Sequence, residues 1–207
     1  MSSDIETIAI KQAAHVAEKH EEDSKTLFGF WLYLMTDCVL FASLFATYAV
    51  LHNNTFGGQS AHQLFSLPYA LTETLILLTS SFTCGLAVLA AQSKRKNQVI
   101  SWLSVTFVLG ISFLSMELTE FSRLAASNNS WHRSGFLSSF FTLVGTHGLH
   151  ITIGLLWMFV MIFRLYKGSI GRTTIRQLTL FSLFWHFLDV IWIFIFTIVY
   201  LLGGIGV

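Results

Sequence analysis

Five apolar runs, each long enough to cross a lipid bilayer as a helix, constrain this chain more than any other feature of its sequence. A bilayer core takes about 20 helical residues, and helices are required because lipid offers no partner to open backbone groups. The runs are Leu27–Leu51, Tyr69–Ala91, Val99–Leu124, Phe136–Phe163 and Gln177–Leu202. We therefore predict an all-α, polytopic membrane protein, a bundle of five transmembrane helices.

The composition excludes the main alternatives to a membrane protein. Charged residues make up only 11% of the chain and hydrophobic residues 54%, so too few charges remain to cover the surface of a soluble domain. The formal net charge is +1, which provides no basic field to attract nucleic acid. We expect membrane lipids as partners and no nucleic acid.

Residues 1–26 differ in kind from the rest of the chain. Acidic residues alternate there with lysines and histidines, which predicts a polar, solvated and partly helical tail. His15 and His20 could form a metal or docking site, but we favour a solubilising terminus. The predicted organisation is thus a polar cytoplasmic tail over 1–26 and a five-helix transmembrane domain over 27–204.

The distribution of lysine and arginine predicts the orientation of the bundle. Only Arg123 and Arg133 fall on one side, and the remaining cations fall on the other. Those are Lys11, Lys19, Lys25, Lys94, Arg95, Lys96, Arg164, Lys167, Arg172 and Arg176. Because short cytoplasmic connections carry the excess of basic residues, we expect a cytoplasmic N-terminus and a periplasmic C-terminus.

Carboxylate and imidazole side chains fall inside the predicted spans, where a charged group is costly and therefore a functional candidate. A rise of about 1.5 Å per residue assigns them to two buried polar layers. Near the midplane are Asp37, His147, His150, His186 and Asp189. Nearer the outer surface are Glu73, Glu117 and Glu120, with Arg123 and His132 as candidate partners.

The residues alone leave several interpretations of these layers open. Glu-x-x-Glu, His-x-x-His and His-x-x-Asp pairs each share a helix face and resemble ligand pairs of a carboxylate-bridged di-iron centre, but the glutamates lie at another depth. A second interpretation is a proton or ion path through these groups. A third is hydrogen bonding between helices, which would fix their packing. Haem ligation by His147 or His150 has no further support. Gly145 and Gly148, with Gly154 further on, would let a neighbouring helix approach closely.

Several strings in the spans, taken together and in order, resemble subunit III of the haem–copper terminal oxidases. They are Phe28-Gly29-Phe30-Trp31, Met35-Thr36-Asp37, Met116-Glu117-Leu118-Thr119-Glu120-Phe121, Gly145-Thr146-His147-Gly148-Leu149-His150 and Trp185-His186-Phe187-Leu188-Asp189-Val190-Ile191-Trp192. The similarity runs from Thr26 to Gly204. The five-span form, with Leu67-Pro68-Tyr69 leading into Glu73-Thr74, looks most like subunit III of cytochrome bo-type ubiquinol oxidases.

The resemblance implies a non-catalytic subunit of a multi-pass complex in a bacterial cytoplasmic (inner) membrane. In this family the haems and copper belong to subunit I, which reduces oxygen to water and pumps protons, so no catalytic, cofactor or metal site is expected in this chain. Subunit III packs beside subunit I and supports its stability and proton uptake. Subunits II and IV of the same complex are implied as further partners.

The same resemblance implies roles for individual residues. Glu120, His147, His150, His186 and Asp189 match a buried polar set that recurs in the family. Longer members have seven spans, and at the position of Asp37 they carry a glutamate within the membrane. The alternatives kept open are subunit III of a cytochrome c oxidase, a stand-alone di-iron enzyme and a proton-coupled transporter.

Overall fold

The computed structural model describes residues 2–52, 67–126 and 135–203, with side chains from 21 onward except 22, 23 and 125. No β-strand occurs in these ranges. The helices are α1 (Ser2–Leu51), α2 (Leu67–Gln92), α3 (Lys96–Ala126), α4 (Gly135–Lys167) and α5 (Arg172–Ile195), and a π-helical segment, Phe196–Leu202, continues α5. The all-α architecture predicted from the sequence is confirmed.

All five predicted membrane spans are present as helices of sufficient length and hydropathy. The spans are Ser24–Leu51, Leu67–Gln92, Lys96–Leu124, Gly135–Lys167 and Arg172–Leu202. Each contains the apolar run identified in the sequence and extends it by a few residues at one or both ends. This extension is expected, because polar residues at the membrane surface continue a helix at no cost to backbone hydrogen bonding.

The chain divides into two compact units, Met1–Cys38 and Val39–Val207. The described part of the first unit is a single stretch of α1, and within it Lys25 Nζ lies 2.9 Å from Glu21 Oε1, one helical turn away. The tail predicted over 1–26 is therefore helical from Ser2 and runs into the first span without a break. His15 and His20 lie outside the described side chains.

The second unit is built on contacts of α2 with α3 and α5, and of α4 with α3 and α5. Trp185 of α5 is fully buried at the centre of this bundle, where glycines leave room for its indole ring. A Cβ atom on Gly110 would lie 3.1 Å from Trp185 Cη2, and one on Gly154 would lie 2.9 Å from Trp185 Cζ3. The small residues of α3 and α4 therefore permit the close approach that a tryptophan at this point requires.

A tight connection joins α2 to α3 at one end of the bundle. Lys94 has a φ of 54°, and the amides of Lys94 and Arg95 donate to the carbonyls of Ala91 and Ala90 at 3.0 Å each. This pattern is a Schellman C-cap, which satisfies the last carbonyls of α2. The connection between α4 and α5 lies at the same end, because Lys96 Nζ donates to the Tyr166 carbonyl at 3.3 Å.

Candidate functional site

Three buried carboxyl groups from two helices form a cluster in the bundle. Glu73 of α2 is 0% exposed, Glu117 of α3 is 2% exposed and Glu120 of α3 is 9% exposed. The three are close enough to interact electrostatically. The structure thus brings together the glutamates that the sequence assigned to one layer.

Tyr200, in the π-helical segment, completes the cluster from a third helix. Its hydroxyl donates to Glu120 Oε2 at 2.7 Å, and the bond is buried. Arg123 is exposed but close enough to Glu120 to interact with it electrostatically. His132, the other candidate partner, lies outside the described residues. Sequence reasoning missed Tyr200, because its only signal was a lone hydroxyl near the outer end of an apolar run.

Glu73 and Glu117 differ from Glu120 in having no hydrogen-bond partner in the described part of the chain. Both carboxyl oxygens of each are buried and unpartnered. Burying a polar group without a hydrogen bond costs about 1–3 kcal/mol, and apolar side chains would avoid this cost. Acids retained at such a cost inside membrane spans indicate a polar site kept for a reason other than packing.

Glu117 also contacts α4 between the two histidines of that helix. A Cβ atom on Gly148 would lie 2.7 Å from Glu117 Oε1, so a larger residue at this position would require the carboxyl group to move. Glu117, which residue counting assigned to the outer layer, thus reaches the part of α4 that carries the histidines of the midplane layer. Residue counting along straight helices cannot detect tilt or rotation, and these decide which side chains meet.

His147 lies in a closed aromatic cage. Its ring stacks on Trp192 with centroids 5.3 Å apart, and it contacts the ring of Phe113 at 6.0 Å and that of Phe41 at 6.4 Å. The residue is 0% exposed, and neither ring nitrogen has a hydrogen-bond partner within the described ranges. The three aromatic rings therefore surround the imidazole with apolar side chains.

His150, one turn beyond, is only half-buried. Its Nδ1 donates to the Thr146 carbonyl at 2.7 Å, and its ring lies 5.3 Å from that of Phe41. The two histidines that share a face by spacing therefore have different surroundings. In the described part of the chain, no three His, Cys, Asp or Glu side chains are grouped so that they could hold a metal ion.

Asp189 and His186 also separate, although they lie three residues apart on α5. Asp189 is buried and lies near the Ser81 hydroxyl on α2. His186 is exposed on the surface of the chain, not in the buried layer expected from the sequence, and its Nδ1 donates to the Ser182 carbonyl at 2.7 Å. The edge of the buried face of α5 runs between them.

Asp37, in the N-terminal unit, is buried.

Two tryptophans join α5 to α2 through hydrogen bonds to hydroxyl groups, a role that the sequence did not predict. Trp192 Nε1 donates to Thr74 Oγ1 at 3.1 Å, and Trp185 Nε1 donates to Ser80 Oγ at 3.0 Å. Both bonds are buried. Because each indole N–H is satisfied, these tryptophans can be buried fully in an apolar bundle.

The predicted packing glycines lie at positions of very different crowding. A Cβ atom on Gly145 would make an ordinary contact, 3.7 Å from Phe121 Cε2, whereas one on Gly148 would lie 2.7 Å from Glu117 Oε1 and one on Gly154 would lie 2.9 Å from Trp185 Cζ3. Gly148 faces a carboxyl group and Gly154 faces the Trp185 ring. Gly154 therefore permits the close approach of Trp185, and Gly148 leaves space beside the Glu117 carboxyl group.

The chain matches the family model described as cytochrome c oxidase subunit III over residues 7–204. Subunit 3 of the cytochrome bo(3) ubiquinol oxidase of Pseudomonas aeruginosa is 56% identical over 187 residues, which cover 90% of this chain and 89% of that protein. The protein of the same name from Buchnera aphidicola subsp. Baizongia pistaciae is 46% identical over 180 residues, 87% of this chain and 93% of that one. Cytochrome c oxidase subunit 3 of Bacillus sp. (strain PS3) is 42% identical over 185 residues, 89% of each chain.

Proposed function

Since the chain belongs to the cytochrome c oxidase subunit III family, as its sequence strings predicted, we propose that it is subunit III of a proton-pumping terminal quinol oxidase. In this proposal it is a non-catalytic subunit of an oxidoreductase complex and carries no haem or copper. Subunit I holds those centres, reduces oxygen to water and pumps protons, and the complex oxidises quinol. Our chain supports the stability and proton uptake of subunit I, with subunits II and IV as further members of the complex.

The observation that carries this proposal is the 56% identity, over 90% of the chain, with a subunit 3 of a cytochrome bo(3) ubiquinol oxidase. A second candidate is subunit III of a cytochrome c oxidase, favoured by the 42% identity with the Bacillus sp. (strain PS3) protein of that name. The two differ in the electron donor of the complex. Higher identity to the ubiquinol oxidase subunit supports the quinol branch.

In this role the buried polar groups of the chain fix the surface that it offers to its partners. The Tyr200–Glu120 bond joins α5 to α3, and the bonds of Trp185 and Trp192 join α5 to α2. Hydrogen bonds between helices hold their rotation about their own axes, which apolar packing alone specifies less strictly. A subunit without redox chemistry contributes through such a fixed shape.

We place the protein in the bacterial inner membrane, with the N-terminus in the cytoplasm. The two helix connections at the end of the bundle marked by the Lys96–Tyr166 bond are basic. Cytoplasmic connections carry this excess of positive charge. The same proposal makes the polar N-terminal tail cytoplasmic, because two spans, Ser24–Leu51 and Leu67–Gln92, separate it along the chain from the first of these connections.

Purification of the chain from native membranes in mild detergent tests the proposal. We expect visible haem bands that travel with a larger multi-span partner and disappear when the chain is isolated from it. Oxidation of ubiquinol but not of reduced cytochrome c by the same preparation would distinguish the quinol oxidase from the second candidate. A colourless protein without partners would favour a transporter, and iron retained by the isolated chain would favour a di-iron enzyme.

A further inference from the structure

His186 is exposed near the middle of the last membrane span. The span runs from Arg172 to Leu202, which places this imidazole about 21 Å along the helix axis from one end and about 24 Å from the other. Within the five spans that the structure describes, it is the only exposed Asp, Glu, His, Lys or Arg side chain more than four residues from a span end. Because an ionisable group at this depth faces protein or a water-filled cavity and not lipid, the chain alone leaves this part of α5 uncovered.

The hydrogen bonding of His186 determines which group the ring presents to a neighbour. Its Nδ1 lies 2.7 Å from the carbonyl oxygen of Ser182, one helical turn earlier. Because a carbonyl oxygen can only accept, the proton of the neutral ring is on Nδ1, and Nε2 carries a lone pair. Both polar contacts of this ring within the described residues involve Nδ1. The side chain therefore presents a hydrogen-bond acceptor, Nε2, to the outside of the bundle.

Exposed residues recur at spacings of three, four or seven along the side of α5 that carries His186. We call them the α5 line: Thr179, His186, Val190, Ile193 and Thr197. Apart from the histidine they are all β-branched. The hydroxyl of Thr179 donates to the Ile175 carbonyl at 3.0 Å, and that of Thr197 donates to the Ile193 carbonyl at 2.8 Å. The α5 line is therefore narrow, and a second helix could approach it closely.

The exposed lines of two other helices have a different composition. That of α2 consists of Leu71, Leu75, Leu78, Phe82 and Leu89, and that of α4 consists of Leu149, Ile153, Leu156, Val160 and Phe163. These side chains are all apolar and mostly large, which suits contact with lipid chains. Helices in contact within a membrane instead favour small residues and residues that form hydrogen bonds. The α5 line has the composition of a helix contact.

From these observations we propose that the α5 line is the contact surface for a transmembrane helix of another oxidase subunit, and that an O–H or N–H group of that helix donates to His186 Nε2. The proposal rests on the oxidase role proposed above. A second copy of this chain does not fit, because a two-fold contact along this line would place two Nε2 lone pairs opposite each other with no proton between them. A different chain with a donor at the depth of His186 satisfies the ring.

Site-specific photo-crosslinking in the purified complex identifies the neighbour of the α5 line. Benzoylphenylalanine replaces Val190, which is 50% exposed, or Leu75 on the α2 line, which is 56% exposed. We expect the probe at position 190 to form an adduct with a helix of another oxidase subunit, identified by mass spectrometry, and the probe at position 75 to react with lipid. Adducts at position 190 with lipid alone, or with a second copy of this chain, would overturn the proposal.

The same preparation separates a failure of this proposal from a failure of the oxidase role. A chain that purifies without any haem-containing partner would contradict the oxidase role itself. Haem bands that travel with the chain while the probe at position 190 reaches only lipid would refute the α5 contact alone.

Variants at His186 test the hydrogen bond within this contact. His186→Leu removes the acceptor and should raise the dissociation constant of the chain from its haem-containing partner about tenfold, which is the effect of one buried hydrogen bond. His186→Gln can place its Oε1 acceptor near the position of Nε2 and should raise it only about two- to threefold. Size-exclusion chromatography of serial dilutions in mild detergent measures both constants. Equal losses in the two variants, or no loss in either, would overturn the hydrogen bond.

A matched pair of tryptophan variants tests the shape of the contact. Val190→Trp should raise the dissociation constant more than about tenfold, because the indole would hold the two helices apart. Leu75→Trp places the same ring at an equally exposed position on α2 and should change the constant by less than about twofold. Unfolding midpoints of the isolated variants that match the unmodified chain would locate the loss at the contact. Equal dissociation constants in the two variants would overturn the assignment of the α5 line.

Discussion

Trp192 on α5 and Glu117 on α3 are buried almost equally, but only the tryptophan has a hydrogen-bond partner in the described structure. The contact between α2 and α5 places each indole N–H opposite a hydroxyl group. The contact between α3 and α4 places a carboxyl group against the backbone of Gly148 and offers it no donor. The hydrogen bonds between α2 and α5 stabilise the packing of these helices and form a structural joint. The contact between α3 and α4 instead retains an unpaired carboxyl group at a cost in stability.

Burial alone therefore does not identify a functional polar residue in a membrane bundle. Thr74, Ser80 and Glu120 are buried and satisfied, so their polar atoms stabilise helix contacts. Glu73, Glu117 and His147 are buried and unsatisfied. The comparison predicts opposite signs for a substitution that removes a satisfied polar group and for one that replaces an unsatisfied carboxyl group with an apolar side chain.

The largest effect is expected where a glycine faces a rigid ring of the structural joint. Gly154→Ala should lower the free energy of unfolding by about 2–3 kcal/mol, because its Cβ would lie 2.9 Å from Trp185 Cζ3. Gly145→Ala on the same helix is the control, with 3.7 Å to its nearest neighbour, and should be neutral or slightly stabilising. Thermal unfolding in detergent micelles measures both, and equal midpoints would contradict the crowding at Gly154.

Tyr200→Phe should destabilise the chain by about 1–2 kcal/mol, because Glu120 Oε2 loses its buried donor. Tyr69→Phe is a matched control, since that hydroxyl donates to the Met116 carbonyl at 2.9 Å from a less buried position, and its cost should be smaller. A double-mutant cycle with Glu120→Gln measures the coupling between the two side chains. Additive effects would mean that the Tyr200–Glu120 bond contributes nothing to stability.

Substitution of an unsatisfied carboxyl group should have the opposite sign. Glu73→Leu is expected to leave stability unchanged or to raise it by about 1 kcal/mol, since it removes two buried oxygens that have no donor. Chemical denaturation of the detergent-solubilised chain gives the sign. A clear loss of stability would show that Glu73 has a partner and would remove the contrast between the two regions.

The smallest effect is expected at the exposed histidine. His186→Ala should change the stability of the isolated chain by less than about 0.5 kcal/mol, because its ring is exposed and bonds only within its own helix. His147→Ala, which empties the cage beside Trp192, should cost several times more. Unfolding midpoints of the two variants compare them directly, and equal losses would place His186 in the buried set.

Much of the architecture could be predicted because it depends on local properties of the chain. A span is recognised from its own hydropathy and length, without knowledge of its neighbours. The predicted ends of all five spans lie within a few residues of the helix ends in the structure. Family membership likewise followed from short strings such as Gly145-Thr146-His147-Gly148-Leu149-His150. The grouping of Glu73 with Glu117 and Glu120 followed from depth alone.

Other features depended on tilt and rotation, which residue counting omits. His186 and Asp189 are three residues apart, yet the edge of the buried face separates them, since a spacing of three still rotates the side chain by about 60°. The contact of Glu117 with Gly148 joins two depths that counting kept apart. The partners of the tryptophans, Thr74 and Ser80, are ordinary hydroxyl residues that no local pattern distinguishes.

Consecutive residues are therefore sufficient to identify a five-span helical membrane protein of the subunit III family, because each span and each motif is a continuous stretch of the chain. Which polar groups meet depends on the packing of the helices. The bonds of Tyr200 to Glu120 and of Trp192 to Thr74 join residues 80 and 118 positions apart. Such pairs form only when helices take one rotation and one tilt, and the packing of small residues around Trp185 selects both.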